Sequence, residues 1–152
     1  MTGKKLDLSI IILNYNGQFW LKKLLPSLKR HYLSRTRYQV EVVVVDNFSS
    51  DNSVELLEKN FKWARLIKSD KNGGFAYGNN LALKNNPARY YMLLNSDSEF
   101  LPTESNLDIL IDFMDQHHKV AVVGPKVELS NGKLDWACHR GEPTPWASFS
   151  YF

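Results

Sequence analysis

Residues 40–45 read Val-Glu-Val-Val-Val-Val, a run with almost no polar interruption. β-Branched side chains favour extended backbone, and a strand this apolar is at home inside a sheet covered by helices rather than at a solvated surface. Leu8-Ser9-Ile10-Ile11-Ile12-Leu13 repeats the pattern earlier in the chain. Each run leads into a segment with a different period. Phe19, Leu21, Leu24, Leu25 and Leu28, with lysines between them, predict an amphipathic helix from Gln18 to about His31, bent by Pro26. Alternation of buried strand and amphipathic helix is the mark of βαβ units, so the expected fold class is α/β with a mostly parallel sheet flanked by helices.

The remaining segments extend that alternation. A helix capped by Ser50 or Asp51 is expected through Asn60, followed by a short strand over Ala64–Lys68 and a helix over about Phe75–Leu83. Tyr90–Leu94 reads as the next buried strand. Pro102 and Ser105 introduce a helix carrying Leu107, Leu110, Ile111 and Met114, and Val120–Val123 reads as a strand. Asn131-Gly132 signals a hairpin-like turn. Beyond Leu134 the aromatic residues Trp136, Trp146, Phe149, Tyr151 and Phe152 have no clear period.

With 152 residues, 43% hydrophobic and 23% charged, the chain has the composition of one globular domain spanning 1–152. Roughly 68–70% of the unfolded surface is expected to be buried at this length, so neither disulfide nor structural metal is needed for a core. Cys138 is the lone cysteine, which with no leader before Leu8 suggests a reducing, cytoplasmic setting, with the inner face of a membrane as a further candidate location. A net charge of +3 with scattered bases does not imply nucleic acid as a partner. The longest apolar run falls far short of the ~20 residues that span a bilayer. For the basic positions of the first helix two readings stay open, a solvated face or peripheral contact with anionic lipid.

Three strands run directly into polar clusters: Asn14/Tyr15/Asn16, Asp46/Asn47/Ser49/Asp51 and Asn95/Asp97/Glu99. Each alone is ordinary turn chemistry. Together, in an open parallel sheet, strand ends of this kind meet at one crevice, the usual ligand position of such folds. Asn95-Ser96-Asp97 spaces two oxygen-bearing side chains two residues apart, which suits Mg²⁺ or Mn²⁺ held jointly with substrate phosphate, Asp97 being the direct ligand. Asn72-Gly73-Gly74 permits close approach of a ligand to backbone just before a helix, without being a phosphate loop or a dinucleotide fingerprint. His31, His117, His118 and His139 fall at no metal-site spacing, and His139 beside Arg140 reads as surface charge or as a cation near a diphosphate.

Taken in order, Ile11–Asn16, Val44–Asp51, Asn72–Asn80 and Leu93–Asp97 resemble the family-2 glycosyltransferases of GT-A (Rossmann-like) fold, particularly their rhamnosyltransferase-like branch, over about Leu8–Gly132. The resemblance implies transfer of a sugar with inversion from a UDP- or dTDP-sugar to a glycan or lipid-linked saccharide acceptor, in cell-wall or polysaccharide biosynthesis. It implies that Asn14 and Tyr15 line the pyrimidine pocket and that Asp46 accepts the base N3–H, an imide donor that suits a carboxylate. Asn16, Ser49, Asn72, Gly73, Phe75, Asn80, Asn95 and Ser96 complete the nucleotide set, Asn79 is a further candidate, and Asp97 is the metal-binding member of the Asp-x-Asp motif, with Asn95 in place of the first Asp.

The later Glu-Asp motif that supplies the base in inverting members has no counterpart after Asp97; Asp135 and Glu142 are the carboxylates available. The expectation is a donor-binding fragment whose acceptor half and base lie outside it, inactive or weakly active alone. Its C-terminal aromatics would pair two copies or mark the cut edge of a larger enzyme. Competing readings are a receiver-like phosphoacceptor domain, for which Asn14 and Asn16 stand where an acidic pair is required, a nucleotidyltransferase, and a non-catalytic binding module.

Overall fold

The computed structural model of the chain describes residues 6–100 and 107–135. In order, the elements are β1 (Leu8–Asn14), α1 (Gln18–Leu28), β2 (Val40–Asp46), α2 (Ser53–Asn60), β3 (Arg65–Lys68), α3 (Gly74–Asn85), β4 (Tyr90–Asn95) and α4 (Leu107–Gln116). The four strands form one sheet in the order β3-β2-β1-β4, every pair parallel. The chain divides into two compact units, Met1–Ile111 and Asp112–Phe152. The first holds the sheet. In the second, an antiparallel bridge joins Glu128 to Leu134 across a turn in which Gly132 takes φ 77°, the hairpin that Asn131-Gly132 announces.

Strand parity divides the core. Leu8, Ile10 and Ile12 of β1 and Val42 and Val44 of β2 share a face with Leu21, Leu24, Leu25 and Leu28 of α1 and Leu57 of α2. Ile11, Val43 and Val45 point the other way, onto Ala82 of α3. Each of these Val, Leu and Ile side chains, fully removed from water, contributes roughly 1.5–3 kcal/mol. The polar interruption Ser9 is satisfied inside the fold: its hydroxyl accepts from Asn86 Nδ2 at 2.8 Å, both residues being buried. α3 crosses close over β1, since a Cβ at Gly78 would stand 2.3 Å from Leu13 Cδ1.

Several expectations are corrected. α1 ends at Leu28, and Lys29–Leu33 continue as one π-helical turn. Pro26 has no N–H to give, and the widened turn begins three residues after it, at Lys29. α2 starts at Ser53 with Asn52 at the N-cap position and without a side-chain bond from it; of the two caps expected, Asp51 Oδ1 accepts from the Ser53 amide at 3.0 Å, whereas the Ser50 hydroxyl turns to Asn16. β4 is not buried on both faces: its residues alternate, with Tyr91 and Leu93 exposed, because α3 packs over β1 and β2. Val120–Val123 form no strand; their backbone is irregular and Val122 is exposed. Pro102 and Ser105, together with Trp136, Cys138, His139, Arg140, Glu142 and the aromatic residues after them, lie outside the described residues.

Candidate functional site

Following the chain, β2 and β3 are laid down on one side of β1 and β4 on the other. The order in which strands are added thus reverses at β1, and the carboxyl ends of β1 and β4 mark the point where ligands of open α/β sheets bind. A cleft of about 330 Å³ lies there, lined by Leu13, Tyr15, Asn16, Gly17, Trp20, Asn95, Ser96 and Asp97. Five of the residues expected to bind nucleotide or metal thus meet in one concavity: Tyr15, Asn16, Asn95, Ser96 and Asp97. Tyr15 is 53% exposed and offers its ring to whatever enters.

Behind the cleft wall lies a buried polar lattice. Asn14 and Asp46 are register partners at the ends of β1 and β2, and strand parity carries both onto the face covered by α1. Asn14 is fully buried and Asp46 is 3% exposed. Asn14 Nδ2 donates to Asp46 Oδ1 at 3.0 Å and to the Ser49 hydroxyl at 3.2 Å, while the Ser49 amide donates to Asp46 Oδ2 at 3.0 Å. Asn14 consequently stands behind the cleft surface instead of lining it, and both oxygens of Asp46 face partners within the protein.

The loops are bound to one another from outside as well. The Asn16 amide donates to Ser49 Oγ at 2.9 Å, and Asn16 Oδ1 accepts from the Ser50 amide at 2.8 Å. Asn16 does this at φ 52°, a left-handed conformation that asparagine tolerates well. Phe48 is also left-handed, at φ 68°, which is uncommon for a bulky side chain, and its ring is exposed. On the far side Asn47 Nδ2 donates to Asn72 Oδ1 at 2.8 Å, and the Gly73 amide donates to Asn47 Oδ1 at 3.2 Å. The loop after β3 is thereby attached to the loop after β2. Phe75 and Asn80 project into solvent from α3, outside the cleft lining, whereas Asn79 is buried and donates to the Phe75 carbonyl at 2.9 Å.

Asp51 fastens the start of α1. Its Oδ2 accepts from the Gln18 amide and its Oδ1 from the Ser53 amide, both at 3.0 Å. Burial raises the Asp51 carboxyl, but donors from Ser53 and Gln18 together outweigh it and hold the group below its ordinary value of 3.8. A folded-state pKa below the unfolded one stabilises the fold above the unfolded value and is lost as pH falls through the folded one. Asp51→Asn is therefore expected to be less stable than the parent at neutral pH, with the gap in urea midpoint beginning to close below about pH 4 and gone once pH has fallen through the lowered folded-state value.

Reading the polar clusters residue by residue missed Leu13 and Trp20 as lining residues and Asn47 as the clasp between loops. The period-2 rule applied to Ile10, Ile12 and then Asn14 would have found the buried lattice. Among the described residues, no group of three His, Cys, Asp or Glu is placed to hold a metal. The oxygen donors at the cleft, the Asp97 carboxylate with the Asn95 amide and Ser96 hydroxyl, fit a hard divalent cation that takes its other ligands from a diphosphate. No helix among the described residues is long and apolar enough to cross a membrane.

A parallel sheet flanked by helices, with polar loops gathered at the strand ends, is the GT-A arrangement. Residues 9–151 match the glycosyl transferase family 2 model, and the chain belongs to that family. It is 31% identical over 115 residues to the poly(ribitol-phosphate) β-N-acetylglucosaminyltransferase TarS of Staphylococcus aureus, a match covering 72% of this chain and 19% of that protein. The chain thus spans about a fifth of this relative. The crystal structure of S. aureus TarS 1-349 in complex with UDP-GlcNAc superposes with a TM-score of 0.61 at 27% identity, covering 84% of this chain and 42% of that one. The mannosyltransferase PcManGT from Pyrobaculum calidifontis, in complex with GDP-Man and Mn²⁺, shares the fold, with a TM-score of 0.61 at 21% identity, over 84% of this chain and 37% of that one.

Proposed function

We propose that this chain forms the donor site of an inverting glycosyltransferase that uses a UDP- or dTDP-sugar and passes the sugar to a glycan or lipid-linked saccharide. One observation carries the reading: the cleft at the β1/β4 switch point is walled by Tyr15, Asn95, Ser96 and Asp97 and backed by the Asn14–Asp46–Ser49 lattice. The similarity to a UDP-GlcNAc-bound relative favours a uridine nucleotide.

In this reading Tyr15 stacks on the base and the Asn95–Asp97 turn faces the diphosphate. Asp46 acts through the lattice, holding the rim that the nucleoside meets. Asn72, Gly73, Phe75 and Asn80 border the donor on the side of α3. A divalent cation, Mg²⁺ or Mn²⁺, held by Asp97 and the diphosphate, would offset the charge that develops on the leaving group. The acceptor hydroxyl oxygen bonds to the anomeric carbon opposite the departing diphosphate and gives its proton to a carboxylate base. Among the described residues lining the cleft Asp97 is the one carboxylate, and a place for it beside the diphosphate would leave the base to be supplied from elsewhere. The chain alone is expected to bind donor and transfer sugar poorly.

Calorimetric titration with UDP, dTDP and GDP, with and without Mn²⁺, tests this. UDP or dTDP should bind more tightly than GDP, with Mn²⁺ strengthening the interaction. Asp97→Ala should remove the metal-dependent part, a loss on the order of tenfold or about 1.4 kcal/mol, while leaving the metal-free affinity in place. Tighter binding of GDP, or an Mn²⁺ effect that survives Asp97→Ala, would refute the respective assignment.

A further inference from the structure

Between Asp7 and Glu41 the chain carries no acidic residue, yet Lys22, Lys23, Lys29, Arg30, Arg35 and Arg37 all fall in that stretch. On α1 the buried positions are Leu21, Leu24, Leu25 and Leu28, which leaves Phe19, Trp20, Lys22, Lys23 and Pro26 exposed, followed by Lys29 and Arg30 in the π-helical turn. Phe19 is 59% exposed and Trp20 45%, and Lys23 Nζ lies 4.4 Å from the centre of the Phe19 ring and 5.6 Å from that of Trp20. Among the described residues Lys22, Lys23, Lys29 and Arg30 make no ion pair. On α2, by contrast, basic and acidic side chains are interleaved and paired, Glu55 with Lys59 and Glu58 with Lys68 of β3.

An ordinary solvated helix needs neither a single sign of charge nor two adjacent exposed aromatic rings. Both features suit the boundary of an anionic bilayer, where rings sit among the head groups and lysines reach the phosphates. Trp20 also lines the cleft, so this face runs without a break into the donor site. We propose that the exposed face of α1 docks the protein on an anionic lipid surface. Combined with the donor-site reading above, on which this last step rests, the docking would hold the cleft where a lipid-linked acceptor is presented.

The test is co-sedimentation of the 152-residue chain, without nucleotide, with vesicles of phosphatidylcholine alone or mixed with about a third phosphatidylglycerol. Binding is expected only with the anionic vesicles and should weaken as salt is raised. At roughly fivefold per charge, Lys22→Gln/Lys23→Gln should lower partitioning about 25-fold, and Lys29→Gln/Arg30→Gln by a similar factor. Phe19→Ser should lower it further, and none of these changes should alter UDP affinity measured without vesicles. Equal sedimentation of parent and variants, or no binding to anionic vesicles, overturns the proposal. Binding to soluble poly(glycerol phosphate) without binding to vesicles also overturns it and makes the face a polymer site. Vesicle and nucleotide arms are read separately, so either can fail alone.

Discussion

Asp46→Ala should abolish measurable UDP binding and lower unfolding free energy by about 2–4 kcal/mol, because the truncation takes the acceptor from one buried and one part-buried donor, at roughly 1–3 kcal/mol for the first and about 1 kcal/mol for the second. The donors are Asn14 Nδ2 and the Ser49 amide, which Asp46 accepts at 3.0 Å apiece. Ser49 is in turn the acceptor for the Asn16 amide, so the change reaches the exposed rim of the cleft through two bonds. Asp46→Asn should be milder. Asn14 Oδ1 has no partner in the buried lattice, and rotation of that amide would present an acceptor to the new NH₂. Urea unfolding and calorimetry on both variants measure the two effects. Full UDP binding by Asp46→Ala would show that the rim holds its shape without the lattice.

The second large effect is expected at Gly17, where one added methyl should cost about 2–4 kcal/mol and at least tenfold in UDP affinity. A Cβ there would stand 2.3 Å from Asn14 Oδ1 and 3.2 Å from Ser96 Oγ. The first of these atoms cannot withdraw easily, because its side chain is fully buried and held through Nδ2 by Asp46 and Ser49. Gly17→Ala therefore displaces the lattice as well as crowding the cleft. A double-mutant cycle with Asn14→Ala separates the two: with the obstructing amide gone, the added methyl should cost markedly less than it does in the parent. Additive costs would mean that the two positions do not meet.

The parts of the fold legible in the sequence were those whose local pattern and tertiary setting agree. β1 and β2 are central strands with near-continuous apolar runs, and the structure buries them on both faces. Tyr90–Leu94 looks similar on paper, but β4 stands at the end of the strand order, and its alternate exposure follows from where α3 packs, which a strand's own sequence does not encode. Val120–Val123 carries strand propensity without forming a strand, since propensity becomes structure only when a neighbouring ladder exists. For the site, the polar strand ends marked the crevice. What the pattern did not reveal is the division of labour between adjacent residues: Tyr15 faces the cleft, whereas Asn14 next to it is wholly internal.

The bonds that join Asn16 to Ser49 and Asn47 to Asn72 and Gly73 bear on how a ligand would be received. Loops tied to one another have already lost most of their conformational freedom when the chain folds. A nucleotide arriving at such a rim would not have to order it, so more of each contact would appear as affinity than at a rim assembled only on binding. Preorganisation of this kind also makes the three loops one mechanical unit, in which a disturbance at any of them is felt at all three.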